Sequence, residues 1–211
     1  MFYLVKSPRW LRFLYKRCTW KFGVQEKVIF LTFDDGPHPL ITPFVLDELK
    51  RYHAKATFFC IGKNVAAYPE VYQRIIEEGH AVANHSYTHP DGWKTADSVY
   101  LDDIALAKKH IDSCLFRPPY GKITPFQLKQ LELPRFELKT IMWTVLSGDF
   151  DTGISKEQCL NNVLLKTKKG AIIVFHDSEK AYERMGYALP RVLKSFAAQG
   201  FTFEKITAAM V

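Results

Sequence analysis

The chain lacks any apolar run approaching the roughly 20 consecutive residues that a membrane-spanning helix requires, so a protein built on spanning helices is excluded. It has little glycine and no excess of proline, with 11 of each in 211 residues, which excludes collagen-like and low-complexity chains. Four cysteines (Cys18, Cys60, Cys114 and Cys159) lie far apart with no CxxC or CxxH spacing, so zinc-ribbon and redox-dithiol readings fail. Free thiols in a reducing compartment are the expectation. Internal repeats and linker-like tracts are also missing. What remains, 47% hydrophobic and 24% charged residues, is the balance of one globular domain with a real core.

An excess of positive charge is present but unevenly placed. The net charge is +7, yet residues 1–27 hold seven basic residues and one acid, leaving 22 basic and 21 acidic residues in 28–211. The body is electrically balanced, so nucleic acid is not expected as a partner. The basic leader interleaves charge with apolar residues and offers no continuous stretch for a signal peptide, so a cytoplasmic or membrane-peripheral location is expected. Ser7 is a candidate N-cap with Pro8 opening a helix to about Cys18. Its Arg9, Arg12 and Lys16 share one face, while Leu11, Leu14, Tyr15 and Cys18 line another. The leader, residues 1–23, is expected to pack on the bottom of the body or flank it. Weak contact of residues 8–18 with an anionic membrane surface is the alternative.

From residue 28 onward, β-branched and aromatic runs alternate with helical stretches. Strands are expected at 28–33, 55–62, 80–85, 114–118, 136–145, 171–177 and 201–206. Helices are expected at 42–52 (with Thr42 as N-cap), 69–78, 95–113, from 125, 155–166 and 189–199. Such alternation implies parallel βαβ units in an α/β domain, a doubly wound sheet or a barrel, with its chemistry at the carboxyl ends of the strands.

The polar clusters fall at those ends. Asp34-Asp35-Gly36-Pro37 follows the first strand, and His85 and His89 follow the third. Arg117-Pro118-Pro119-Tyr120-Gly121 follows the fourth, Asp149 a later one, and His176-Asp177 the strand at 171–175. Two histidines at i and i+4 with a carboxylate from another strand make a ligand set suited to Zn²⁺, with Co²⁺, Ni²⁺, Mn²⁺ or iron also fitting. Of two adjacent carboxylates, one can bind metal while the other takes a proton. A non-haem iron oxygenase uses the same ligand types but has no need of Asp34 and His176.

These residues carry a family resemblance. T-F-D-D-G at Thr32–Gly36, H-S-x-x-H at His85–His89 and R-P-P-Y-G at Arg117–Gly121 resemble the first three motifs of the polysaccharide deacetylases, the NodB-homology domains of carbohydrate esterase family 4. Asp149-Phe150 and Val174-Phe175-His176 look like weaker forms of the fourth and fifth, and the resemblance covers about residues 24–207. It implies a distorted (β/α) barrel of about seven parallel strands in a single domain. It also implies one divalent metal, most readily Zn²⁺, on Asp35, His85 and His89. Asp34 would be the general base, Arg117 its orienting partner, His176 the general acid and Asp149 the group that tunes it. The Tyr120 backbone N–H would stabilise the oxyanion.

The implied activity is removal of N-acetyl groups from an N-acetylglucosamine-containing glycan by a monomeric enzyme. The alternatives are hydrolysis of a non-glycan amide and non-catalytic carbohydrate binding. The fourth motif departs from the family pattern, with Leu146 and Phe150 where an aspartate and a tryptophan are usual. Val174 is expected to form an apolar wall, and Trp93, after Gly92, to stack on a sugar ring. Trp143, inside a strong strand, is expected to be packed. Asp102 and Asp103 are expected on an exposed helix face, and His38 near the mouth of the site.

Overall fold

A computed structural model describes residues 3–211. Its centre is β1 (Val28–Asp34), a run of β-branched and aromatic residues buried on both faces, as the middle strand of a parallel sheet must be. On one side follow β2 (Ala56–Cys60), β3 (Ala81–Asn84), β4 (Leu115–Phe116) and β5 (Lys139–Thr140). On the other lie β7 (Ile172–His176) and β6 (Val145–Leu146). All these pairings are parallel, and β8 (Thr202–Phe203) adds to the start of β1. The sheet curls into a distorted (β/α) barrel of one domain.

The strand expected at 136–145 is divided. Its first half, β5, bonds β4, and its second half, β6, bonds β7, so one stretch of chain changes partner midway and joins the two edges of the sheet. The backbone groups freed by that switch are taken by the N-terminal segment. Thr19 N–H bonds to Thr140 O and Met142 N–H to Thr19 O, while Ser7 N–H bonds to Thr144 O and Leu146 N–H to Val5 O. Lower down, Phe22 N–H meets Gly170 O, and a Cβ on Gly170 would lie 2.0 Å from the Phe22 carbonyl oxygen. The segment therefore runs along the barrel wall from the carboxyl end to the base, rather than covering the bottom.

Its helix α1 (Arg9–Leu14) is shorter than the pattern predicts, with Pro8 at the N-cap. The Ser7 hydroxyl instead donates to Trp143 O at 2.5 Å, a long-range bond that outcompetes capping. Leu11, Tyr15, Cys18 and Trp20 pack inward, whereas Leu14, expected with them, faces out.

Around the sheet lie α2 (Ile41–Arg51), α3 (Gly62–Ala67), α4 (Pro69–Glu77), α5 (Asp97–Ala107), α6 (Pro125–Leu131), α7 (Lys156–Lys166) and α8 (Glu179–Ala198). Thr42 is the second residue of α2 rather than its N-cap; its hydroxyl accepts the His38 N–H. The Ser155 cap on α7 holds, accepting from Gln158 N–H at 3.1 Å. Helix α3 was not expected. Helix α8 begins ten residues before the expected Leu189, running through Pro190. A continuous apolar stripe of Ala181, Met185, Ala188, Leu189, Val192 and Phe196 explains this: its burial outweighs the ~3 kcal/mol that an internal proline costs. All four cysteines are free thiols. Among the described residues, no helix is long and apolar enough to cross a membrane.

Candidate active site

Alternation along the parallel strands decides which side chains enter the barrel. Asp34 is in register with His176, and Thr32 with Val174. Partners in register share a face, so Thr32, Asp34, Val174 and His176 all point inward. The pairing of Asn84 with Phe116 puts His85 beside Arg117 one residue further on. Of these, Asp34, His85, Val174 and His176 line a cavity of about 900 Å³ at the carboxyl end of the sheet.

Asp35 follows Asp34 and would ordinarily face away. Its φ of +84° turns the chain so that both carboxylates reach the cavity. Ser86, His89 and Tyr120 are also at positive φ, a clustering of unfavourable backbone that is concentrated at functional sites. Gly36 is required after Asp35, because a Cβ there would sit 2.1 Å from Asp177 Oδ2.

Asp35 Oδ1 lies 3.3 Å from His89 Nε2 and 3.8 Å from His85 Nε2. The three ligand atoms are all within 4.8 Å of one another. His85 Nδ1 is 2.7 Å from the Arg117 carbonyl oxygen, which only accepts, so Nδ1 carries the hydrogen and Nε2 keeps its lone pair. Burial and the neighbouring His89 push the His85 pKa well down, and burial lowers that of His89, which favours the neutral form of both rings. Asp35 Oδ1 is buried without a hydrogen-bond partner among the described residues. A buried carboxylate oxygen with two neutral imidazole lone pairs beside it is what a divalent cation satisfies, and this cluster is a possible metal-binding triad.

Two charged pairs flank the triad. Arg117, fully buried, donates to Asp34 Oδ1 at 2.6 Å and to Thr32 Oγ1 at 2.8 Å. Its remaining donors reach Ile141 O and Met142 O, and its guanidinium lies 3.9 Å from the Phe59 ring centroid. On the other side, His176 Nδ1 is 2.7 Å from Asp149 Oδ1, and the other Asp149 oxygen accepts the His176 backbone N–H. Burial works against a charged His176 ring. Asp149 overrides it by charge and hydrogen bonding, with Asp35 and Asp34 helping, and the pKa is pushed up to about 10.

The walls are apolar and aromatic. Val174 and Leu146 line the cavity. Phe150 lies edge-on to His176 at 5.2 Å between ring centroids. Tyr120 lies edge-on to His89 at 4.6 Å and is 57% exposed. Trp143, expected to be packed, does pack against the core, and it also lines the cavity wall beneath Gly121. Trp93 is not part of the cavity wall: its indole N–H bonds to Ile123 O and its ring stands at the rim beside Lys122. His38 lines the mouth.

The sequence reading missed the supporting roles of several residues. Asp103 is not on a solvated face: it accepts from the amides of Tyr87 and Thr88, holding the loop between the two histidines. Asp177 accepts from Gly36 N–H and Thr42 Oγ1, tying the Asp35 turn to α2. Arg184 donates to the Asp149 carbonyl oxygen at 2.7 Å, and its one sequence signal is a basic residue on the apolar stripe of α8. Tyr3, from the N-terminal segment, packs against Phe150 with the rings tilted by 59° and their centroids 5.0 Å apart.

A curled parallel sheet with these groups at its carboxyl end defines a (β/α)-barrel hydrolase. The family model described as polysaccharide deacetylase matches residues 22–133. A Bacillus cereus protein named peptidoglycan-N-acetylglucosamine deacetylase is 33% identical over 195 residues, covering 90% of this chain and 91% of its own length. A crystal structure of a peptidoglycan N-acetylglucosamine deacetylase bound to an N-hydroxybenzamide superposes with a TM-score of 0.85 at 28% identity, covering 97% of this chain and 96% of the other. A Bacillus anthracis protein described as a carbohydrate esterase family 4 pseudoenzyme matches at a TM-score of 0.76 and 25% identity, over 91% of this chain and 68% of the other. The chain belongs to the polysaccharide deacetylase family, hydrolases of carbon–nitrogen bonds other than peptide bonds.

Proposed function

We propose that the protein removes acetyl groups from N-acetylglucosamine units of peptidoglycan or a related glycan. The observation that carries this reading is the convergence of Asp34–Arg117 and His176–Asp149 on one cavity, either side of the Asp35–His85–His89 cluster. A domain that only binds carbohydrate needs neither pair, and the pseudoenzyme relative shows that the fold alone does not decide the matter.

Asp35, His85 and His89 would hold one divalent ion, most readily Zn²⁺, with Co²⁺, Ni²⁺ and Mn²⁺ as other fitting ions. Such an ion, when bound, supplies Lewis acidity to an amide carbonyl and to water. Asp34, its Oδ1 fixed by Arg117, takes the proton of the attacking water on its other oxygen. The Tyr120 backbone N–H donates to the carbonyl oxygen as that oxygen gains charge. His176, charged at neutral pH and held at Nδ1 by Asp149, gives its Nε2 proton to the departing amine as the C–N bond breaks, releasing acetate and a free amino sugar. Val174, Leu146 and Trp143 exclude water around the acetyl methyl, and Trp93 and Tyr120 offer aromatic faces to the sugar.

The test is acetate release from N-acetylated peptidoglycan and chito-oligomers, with chelator and with each metal restored. Release lost to chelator and regained with metal supports the reading. Release from simple acetamides but from no glycan would replace it with amidohydrolysis of another substrate, and no release at all with metal bound would leave a binding domain.

A further inference from the structure

The helix α1 is oriented contrary to the usual rule for a surface helix. Its outward side carries Trp10, Phe13 and Leu14, which are 61%, 79% and 67% exposed. The i, i+3, i+4 spacing puts all three on one face, and no residue of the helix is fully buried. The neighbouring Leu4 is also exposed. Contiguous exposed aromatic and aliphatic side chains mark an interaction site.

The surroundings of this face specify its partner. Lys6 and Arg9 before and within the helix, and Lys16 and Arg17 just after it, are all exposed. Of these, Arg17 is engaged by Glu132. Residues 1–27 hold seven basic residues against one acid, whereas the body is balanced. A protein partner would have to match three large apolar side chains with a complementary pocket. A fluid anionic surface needs only to accept aromatic and aliphatic groups at headgroup depth while attracting basic residues around them.

We propose that α1 and its flanking basic residues dock on an anionic lipid bilayer. The same segment supplies Leu4, Pro8 and Leu11 to the wall of the catalytic cavity. Docking therefore holds the mouth of the cleft at the membrane surface, where it would meet glycan lying close to the bilayer. The docking half stands on the exposed face alone and is independent of the deacetylase reading.

Full-length protein is mixed with vesicles of phosphatidylcholine alone or with half phosphatidylglycerol, at low and high salt, and sedimented. Three variants are compared: wild type, Trp10→Ser/Phe13→Ser/Leu14→Ser, and Lys6→Glu/Arg9→Glu/Lys16→Glu. All the substituted side chains are exposed, and circular dichroism checks the fold. Wild type should bind only the anionic vesicles, and the charge-reversed variant should bind at least about 100-fold more weakly. The apolar variant should also lose binding, and a blue shift of wild-type tryptophan emission on vesicle addition should vanish in it. Equal binding by wild type and the apolar variant would overturn the proposal, as would equal binding to a soluble polyanion. A wild-type dimer converted to monomer by the apolar substitutions, without vesicle binding, would assign the face to a second copy of the chain instead.

Discussion

Replacing Asp149 by Asn keeps the shape of the side chain and removes one charge. In the native protein one carboxylate oxygen accepts the ring Nδ1–H of His176 at 2.7 Å and the other accepts its backbone N–H. Asp149 is fully buried and its carbonyl is held by Arg184, so the group does not relax away. Two unit charges about 4 Å apart interact by about 4 kcal/mol at an effective dielectric of 20. That is close to three pH units at about 1.36 kcal/mol each. Loss of the charge leaves the opposing effect of burial in place, so His176 should fall from about 10 by about 2–3 units.

A histidine with a raised pKa holds its proton until the pH passes that value, so its loss appears as the basic limb of the rate profile. In Asp149→Asn that limb should move down by about 2–3 units, with activity recovering toward wild type below the new pKa. The assay is acetate release as kcat/KM from pH 5 to 11 with metal saturating. An unmoved limb with activity lowered equally at every pH would refute the charge coupling and leave Asp149 a packing group.

Three other outcomes follow from the geometry. His85→Ala and His89→Ala should lower bound divalent metal, measured by elemental analysis after dialysis, together with activity; a metal-free variant at full rate would break the assignment. Asp34→Asn should keep its metal while losing two or more orders of magnitude in kcat, each tenfold being about 1.4 kcal/mol of barrier. Asp177, whose pKa burial pushes up to about 7, contributes stability that is full below about pH 4 and lost as pH rises through 7. In chelated protein, therefore, Asp177→Asn should gain on wild type in denaturant between pH 4 and 7. Asp177→Ala leaves the Gly36 N–H and the Thr42 O–H without an acceptor and should lose about 3 kcal/mol, or about 6–12 °C in Tm.

The site was legible because parallel βα units place strand ends together, so that carboxylates and imidazoles after Phe33, Asn84 and Phe175 had to meet at one end. The pairs themselves were legible through the motif resemblance: Arg117 with Asp34, and Asp149 with His176. The contacts of Asp103, Thr42 and Arg184 were hidden because they are made across the chain: Asp103 reads locally as exposed helix face, Thr42 as a helix cap, and Arg184 lies before the helix expected from Leu189. Asp177 was seen beside His176 but has no spacing that announces its grip on Gly36. Helix α8 was misjudged at Pro190 because local propensity suggested a start where burial of the stripe continues the helix. The division of the 139–146 stretch has no signature in its residues: FELKTIMWTV is a good strand throughout, and only the curl of the sheet requires its two halves to bond different neighbours.

That partner switch also explains why the N-terminal segment belongs to the site. A barrel with too few strands to close evenly must leave backbone groups unpaired where one strand changes partners, and such groups are costly when buried. Val5, Ser7 and Thr19 take those bonds at the one place where no strand is available. The chain that seals the wall must then leave it at the carboxyl end, beside β6. There it sets Tyr3 against Phe150, which stands edge-on to His176. Phe150 occupies the position where the family pattern carries a larger tryptophan, and the Tyr3 ring supplies aromatic bulk behind it. The shape of the pocket beside the proposed acid is thus set by two segments nearly 150 residues apart, one of them recruited by the geometry of an incomplete barrel.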